Sequence, residues 1–190
     1  MTAKPDVVIV GAGVMGCGTA YWLSKAGYRV LVVEKESIAC GASGVSAAML
    51  DAVGHGAQEG TLTDPLSELA RASFKLHQEL GRLLPEESGI DIGYRENPTI
   101  HVAFTPEEVT SLKAEALALQ QQDASVQWLE GAPLWELEPR LNREALGGVV
   151  TPQAQVIAYR FVLALARVAE QHGMEMRHGE VVGLEKTGSR

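Results

Sequence analysis

Cysteine is scarce in this chain: Cys17 and Cys40 are the only two among 190 residues. Two thiols cannot build the disulfide framework of a small secreted domain, and both suit a reducing compartment. Long apolar runs are also missing, and none approaches the length that spans a bilayer. The first apolar run is short and broken by glycines, unlike the core of a signal peptide, so a cytoplasmic protein is expected. Positive charge is in deficit, with 16 Lys and Arg against 24 Asp and Glu and a net charge of −8. Nucleic acid and anionic membrane both reward positive surface, so neither is an expected partner. There is no G-x-S-x-G elbow and no Cys–His pairing to mark a nucleophile. His172 and His178 lack the spacing and partners of a metal site, and no metal is expected. Repeats and low-complexity runs are absent. What remains, 46% hydrophobic and 21% charged, has the composition of an ordinary globular protein.

What is present is concentrated near the N-terminus. Val7 to Val10 is a run of apolar, mostly β-branched residues that reads as a buried strand of a parallel sheet. Gly11, Gly13 and Gly16 follow with G-x-G-x-x-G spacing, and Cys17 to Lys25 reads as a helix. Gly11 permits a tight turn, Gly13 lets backbone approach a pyrophosphate, and Gly16 lets helix and strand pack closely. The helix start offers unpaired N–H groups and the positive end of its dipole. A second strand, Arg29 to Val33, leads to Glu34, placed to grip ribose hydroxyls. The parts of a dinucleotide site occur in order, and the chemistry of the chain is expected to belong to the cofactor.

Further along, Lys35 to Ser46 reads as a loop rich in small residues, either a ligand-contacting backbone or a flexible surface segment. His55 sits in a Gly-rich loop. Asp64 and Pro65 start a helix whose stripe is Leu66, Leu69, Ala70, Phe74, Leu76 and Leu80, with Gly81 and Pro85 expected at its end. Arg71, Lys75 and Arg82 form its solvated side, unless one of them faces a substrate cavity. Ile90 to Arg95 and Thr99 to Phe104 read as strands around a turn at Glu96 to Pro98. Thr105 and Glu108 make a capping box for a helix to about Gln122. Val126 to Leu129 is a strand, Leu134 to Leu141 a short helix, and Gly147 to Thr151 another strand. Trp128 and Trp135 are read as packing residues. Ala158 to His172 is an amphipathic helix stopped by Gly173, followed by strands Met174 to Arg177 and Val181 to Glu185. Cys17, near a helix start, could have a lowered pKa, but the simpler reading is a small packing residue.

The combination of Val7 to Glu34, Gly41-Ala42-Ser43 and Ser46-Ala47-Ala48-Met49-Leu50 resembles the FAD-dependent D-amino-acid oxidase superfamily, and most of all its glycine oxidase and sarcosine oxidase-like members. Gly147 to Pro152, Tyr159-Arg160-Phe161 and the helix to Gly173 extend the resemblance over nearly the whole chain. It implies an α/β fold: a Rossmann-like FAD-binding domain, here incomplete, with an inserted α+β segment of a substrate domain. The expected boundaries are 1–84 and 151–190 for the FAD-binding parts and 85–150 for the insertion. The resemblance implies that Val14 and Met15 place backbone N–H groups on the pyrophosphate. Glu34 would bind the adenosine ribose, with Lys35 near the adenine. Ala42 and Ser43 would contact the phosphate and ribityl portion, while Ala47, Ala48 and Met49 line the flavin ring. Val181 would hold the adenine edge with its backbone. Relatives commonly carry glycine where Ala48 stands.

The implied reaction is hydride transfer from the α-carbon of a small amino acid or amine to flavin. The resulting imine would hydrolyse, and oxygen would reoxidise the flavin to give peroxide. No catalytic side chain is nominated in these residues. The family's chains run about twice as long, so the sequence reads as an N-terminal half, with a homo-oligomer or a complementary C-terminal chain as possible partner. Two other classes are weighed: a non-catalytic FAD-binding remnant or subunit, and a nicotinamide-dependent dehydrogenase, which gives Ala42, Ser43 and the Ser46 to Ala48 segment no role.

Overall fold

The computed structural model describes residues 4–51 and 65–186. The chain divides into two compact units: residues 1–48, 80–94 and 156–190 form one, and residues 49–79 and 95–155 the other. The chain thus crosses between units four times, where the sequence alone draws two boundaries.

The first unit is a parallel α/β layer. Strands β1 (Val7–Val10), β2 (Val30–Glu34) and β9 (Glu175–His178) lie in the order β1-β2-β9. The pairing is parallel throughout, Val7 with Val30 and Leu31 with Glu175. Parallel neighbours need a crossover, and helices α1 (Val14–Lys25) and α6 (Ala158–Gln171) provide it and pack on each other. Cys17, Ala20 and Tyr21 of α1, with Phe161, Val162, Leu165, Val168 and Ala169 of α6, are buried, as the helical period of α6 predicts. Gly173, at φ +91°, ends α6 in the left-handed conformation that glycine adopts at no steric cost. Helix α3 (Pro65–Ser88) lends this unit its last part, where Glu87 pairs with Lys25 at 2.7 Å and also accepts from the Tyr21 hydroxyl.

The second unit is antiparallel. One sheet has the order β5 (Thr99–Ala103), β7 (Gly147–Thr151), β6 (Gln127–Leu129), and α4 (Pro106–Gln120) covers it. Ala116, Leu119, Val126 and Val149 form its core, with Leu112 and Trp128 packed against them. Gly147 is needed for that packing, since a Cβ there would lie 2.2 Å from the Trp128 ring. The capping box at the start of α4 forms in full, with the Glu108 N–H on Thr105 Oγ1 and the Thr105 N–H on Glu108 Oε2. A smaller sheet pairs β8 (Gln153–Gln155) with β3 (Met49–Asp51) and β4 (Arg95–Glu96). A short helix, α5 (Ala132–Leu137), completes the unit.

Several sequence expectations need correction. α1 begins at Val14 rather than Cys17, so the glycine motif itself enters the helix. The segment expected as loop contains a short helix, α2 (Ala42–Val45). α3 runs through Gly81 and Pro85 to Ser88, because the burial of Leu80 and Leu84 outweighs the hydrogen bond that proline omits. It stops at Gly89, at φ +72°. Only Arg95 of the expected strand Ile90 to Arg95 is in a strand, and α5 covers 132–137 rather than 134–141. No strand forms over Val181 to Glu185: that stretch has no ladder partner among the described residues, and Val182 and Leu184 are exposed. β1 is not buried on both faces, since Val8 and Val10 are 54% and 60% exposed. Asp64, His55 and the start of the α3 stripe at Leu66 lie outside the described residues or side chains.

Two glycines of α1 separate packing from propensity. A Cβ on Gly16 would lie 2.0 Å from the Gly11 carbonyl oxygen, whereas one on Gly18 meets nothing within 4 Å. Gly16→Ala should therefore destabilise the fold by about 1–3 kcal/mol. Gly18→Ala should stabilise it by about 0.5–1 kcal/mol. Urea unfolding of the two variants checks both signs.

Candidate functional site

β1 ends at Val10 and the chain turns at Gly11, whose φ of +97° places it in the region that favours glycine. The Gly11 N–H donates to the Val33 carbonyl at 2.8 Å, which holds the turn at the end of β2. Gly13 is the extended N-cap of α1 and contributes no side-chain cap, so the helix starts with N–H groups that its own fold leaves for other acceptors. The first turn of α1 holds no acidic residue to repel an anion. Ser43, from α2, brings its Oγ to the Val14 N–H at 3.0 Å. A Cβ on Gly13 would lie 3.1 Å from that Oγ, so Gly13 leaves the hydroxyl its place.

Glu34 is the last residue of β2. Its Oε2 accepts from the Ala12 N–H at 2.7 Å and its Oε1 from the Glu36 N–H at 2.8 Å. These two backbone bonds, the Ala12 one the stronger, hold the carboxyl below its ordinary range and keep it ionised. Each oxygen retains acceptor capacity for a hydroxyl. Backbone turn, helix start, serine hydroxyl and carboxylate thus converge on one end of the parallel sheet, where ligands of open α/β folds bind. The donor set fits an anionic dinucleotide: N–H groups and a hydroxyl for phosphate, a carboxylate for ribose.

The structure brings Gly11, Gly13, Val14, Gly16, Glu34 and Ser43 together through these contacts. Met15 projects outward from the same turn at 80% exposure, and Lys35 is exposed beside Glu36. Ala42 opens α2, and Ala47 and Ala48 follow it in the same unit. Ala48 is left-handed, at φ +50°, and its carbonyl accepts from the Val156 N–H. Met49, the next residue, opens β3 of the second unit. Val181 lies two residues beyond Gly179, whose N–H donates to the Glu34 carbonyl at 2.9 Å.

Three contributors escape sequence reading. Ala12, the variable residue between two motif glycines, donates to Glu34 and accepts from the Ala39 N–H at 3.0 Å. Ala39 is itself left-handed, at φ +57°. Gly44 repeats the device of Gly16, since a Cβ there would lie 2.0 Å from the Ala39 carbonyl oxygen. The second cluster of small residues is the signal that marks Gly44; Ala12 and Ala39 act through backbone groups. Cys17 does not behave as an activated thiol: it is fully buried, its Sγ donates to the Ala12 carbonyl, and burial pushes its pKa up to about 11.

Comparison with known proteins places the chain in a family. The family model DAO, described as FAD dependent oxidoreductase, matches residues 6–190, and the chain belongs to that family. Glycine oxidase of Geobacillus kaustophilus is 39% identical over 91% of this chain and 45% of its own length. A mouse mitochondrial regulatory subunit of pyruvate dehydrogenase phosphatase is 29% identical over 97% of this chain and 21% of its own. The crystal structure of glycine oxidase from Bacillus cereus superposes with a TM-score of 0.83 at 32% identity, covering 97% of this chain and 50% of that one. The chain spans less than half the length of these curated relatives. The family match carries the Rossmann-like fold class and FAD as the family's cofactor, and it overturns the nicotinamide-dependent reading.

Two outcomes follow from the site's geometry. With a thiol reagent, the native protein should be labelled at the exposed Cys40 and spared at Cys17 until it unfolds, as mass spectrometry of each peptide reads. Ala48→Gly removes a left-handed alanine that costs about 1–2 kcal/mol and should leave stability equal or raised, by up to about 1 kcal/mol, in thermal unfolding.

Proposed function

We propose that this chain holds FAD in its first unit and forms the cofactor-binding part of an oxidoreductase of glycine oxidase type, acting on a small amino acid or secondary amine. The observation that carries the reading is the convergence of Glu34, the Gly11 to Gly16 turn and Ser43 on the start of α1. Val14 and Met15 offer backbone N–H groups to the pyrophosphate, and Ser43 turns its hydroxyl from the Val14 N–H toward a phosphate oxygen. Glu34, already ionised, accepts from the ribose hydroxyls, with Lys35 beside the adenine and the Val181 backbone along its edge. Ala42, Ala47 and Ala48 supply the small surface for the ribityl chain and ring. The chemistry FAD supplies when bound is acceptance of a hydride from the substrate's α-carbon. We place the boundaries of the FAD-binding part with the first unit and the substrate-domain segment with the second. The free thiols Cys17 and Cys40 suit work in the cytoplasm.

A second reading is favoured by one observation. Val8 and Val10 expose apolar surface on a strand whose composition suits burial on both faces. A chain that binds FAD without turnover, and needs a complementary chain over this face, accounts for it. Assay of peroxide formation with glycine and sarcosine tests this second reading: turnover by the flavin-loaded chain contradicts it.

The absorbance of the purified chain, after incubation with FAD and desalting, tests the cofactor site common to both. A flavin band should be retained by the unaltered chain. Glu34→Ala should weaken FAD binding by roughly one to two powers of ten, the worth of a charge-assisted contact of about 1.5–3 kcal/mol. Because the Glu34 pKa is lowered from 4.5, its contribution is complete above that value and disappears as pH falls through the depressed one. Retention should therefore be level from neutrality down to about 4.5 and fall only below it. A colourless, folded chain contradicts the proposal.

A further inference from the structure

Away from the cofactor cradle, the described residues of the second unit line two adjoining open clefts, of about 740 and about 420 Å³. α3 lines both. Arg71, Phe74, Lys75 and Gln78 follow one another at i, i+3, i+4 and i+7, so they share one helix face. In the smaller cavity this face meets the 122–125 loop and Pro152. Arg71, half-buried, therefore faces this cavity, while Lys75 lines its rim and is exposed, on the solvated side of α3 where the sequence reading put it.

The charge of the smaller cavity is unusual for a chain of net charge −8. Arg71 and Lys75 face a single carboxylate there, Asp123. Asp123 is already engaged, since its Oδ1 accepts from both the N–H and the Oγ of Ser125, at 2.9 and 2.6 Å. The Arg71 guanidinium is oriented by one bond, donated from Nη1 to Gln122 Oε1, which leaves a planar fork suited to a carboxylate. The larger cavity shares Phe74, Gln78, Ser125 and Pro152 with the smaller, so the two are compartments of one groove. Its walls include the apolar side chains of Leu129, Pro133, Leu137 and Val150. Its acids, Glu96 and Glu136, repel an anion and direct it to the Arg71 end. Glu96 is tied to α3 by a bond from Gln78 at 3.4 Å. The volume is that of a small-molecule site.

We propose that this groove binds a monocarboxylate with an apolar body, its carboxylate between Arg71 and Lys75 and its body along Phe74, Leu129 and Val150. Every wall belongs to the second unit, and the proposal does not rest on the oxidoreductase reading.

Calorimetric titration of the unaltered chain with hexanoate, hexylamine and hexanol tests it. Hexanoate should bind, with hexylamine and hexanol at least about tenfold weaker. Arg71→Gln and Lys75→Gln should each weaken hexanoate about tenfold, with their unfolding midpoints as a check of the fold. No hexanoate binding up to ~10 mM overturns the site. So does hexylamine binding as tightly as hexanoate, or hexanoate binding unchanged in the double variant. The three-ligand comparison stands even where a variant fails to fold. Glu34→Ala, poor in flavin, should keep hexanoate binding. Loss of hexanoate together with flavin would place the ligand at the cofactor and overturn the proposal, while leaving the FAD reading intact.

Discussion

The contact between the Glu34 carboxylate and the Ala12 N–H, at 2.7 Å, holds the first unit's functional end together. It ties the last residue of β2 to the middle of the glycine turn that follows β1. The turn is pinned a second time by the Gly11 N–H on the Val33 carbonyl, and the third strand joins through the Gly179 N–H on the Glu34 carbonyl. Because α1 starts where this turn ends, the position of its N-terminus depends on the same carboxylate. One acidic side chain therefore fixes the loop proposed to approach a phosphate, while keeping acceptor capacity for a hydroxyl. An amide in its place would keep some geometry but would lose the charge that makes these bonds strong.

The glycines around it work by exclusion. Gly16 lets the helix come down on the turn, and Gly44 lets α2 come down on the 37–41 segment, each against a carbonyl oxygen 2.0 Å from where a Cβ would stand. The Ala39 N–H joins the two turns through the Ala12 carbonyl. The second small-residue segment is thus part of the same construction as the first, and Ser43 reaches Val14 because both backbones approach closely.

Much of this was legible in the sequence because the signals are local. A strand, a glycine spacing, a helix and an acid at the next strand's end describe one α/β unit, and the capping box of α4 is a four-residue pattern. What was not legible depended on partners distant in sequence. β3 and β8 are three residues each and form through pairing in one small sheet, β8 with both β3 and β4. The continuation of α3 past Pro85 depends on the burial of Leu80 and Leu84, which outweighs a local stop signal. Val181 to Glu185 has strand composition but no ladder among the described residues. The roles of Ala12 and Ala39 rest on backbone groups, which every residue carries, so their side chains announce nothing. The charges on α3 were visible, but which of them face a cavity depended on the 122–125 loop.

The central claim is that FAD is held by the turn at Gly11 to Gly16 with Glu34 and Ser43. Amide chemical shifts of the chain, recorded by NMR during titration with FAD, test it most directly. The account predicts the largest changes at the amides of Gly13, Val14 and Met15, and at those of Ala12 and Glu36 bonded to Glu34. Saturable FAD binding that leaves these amides unmoved would contradict it.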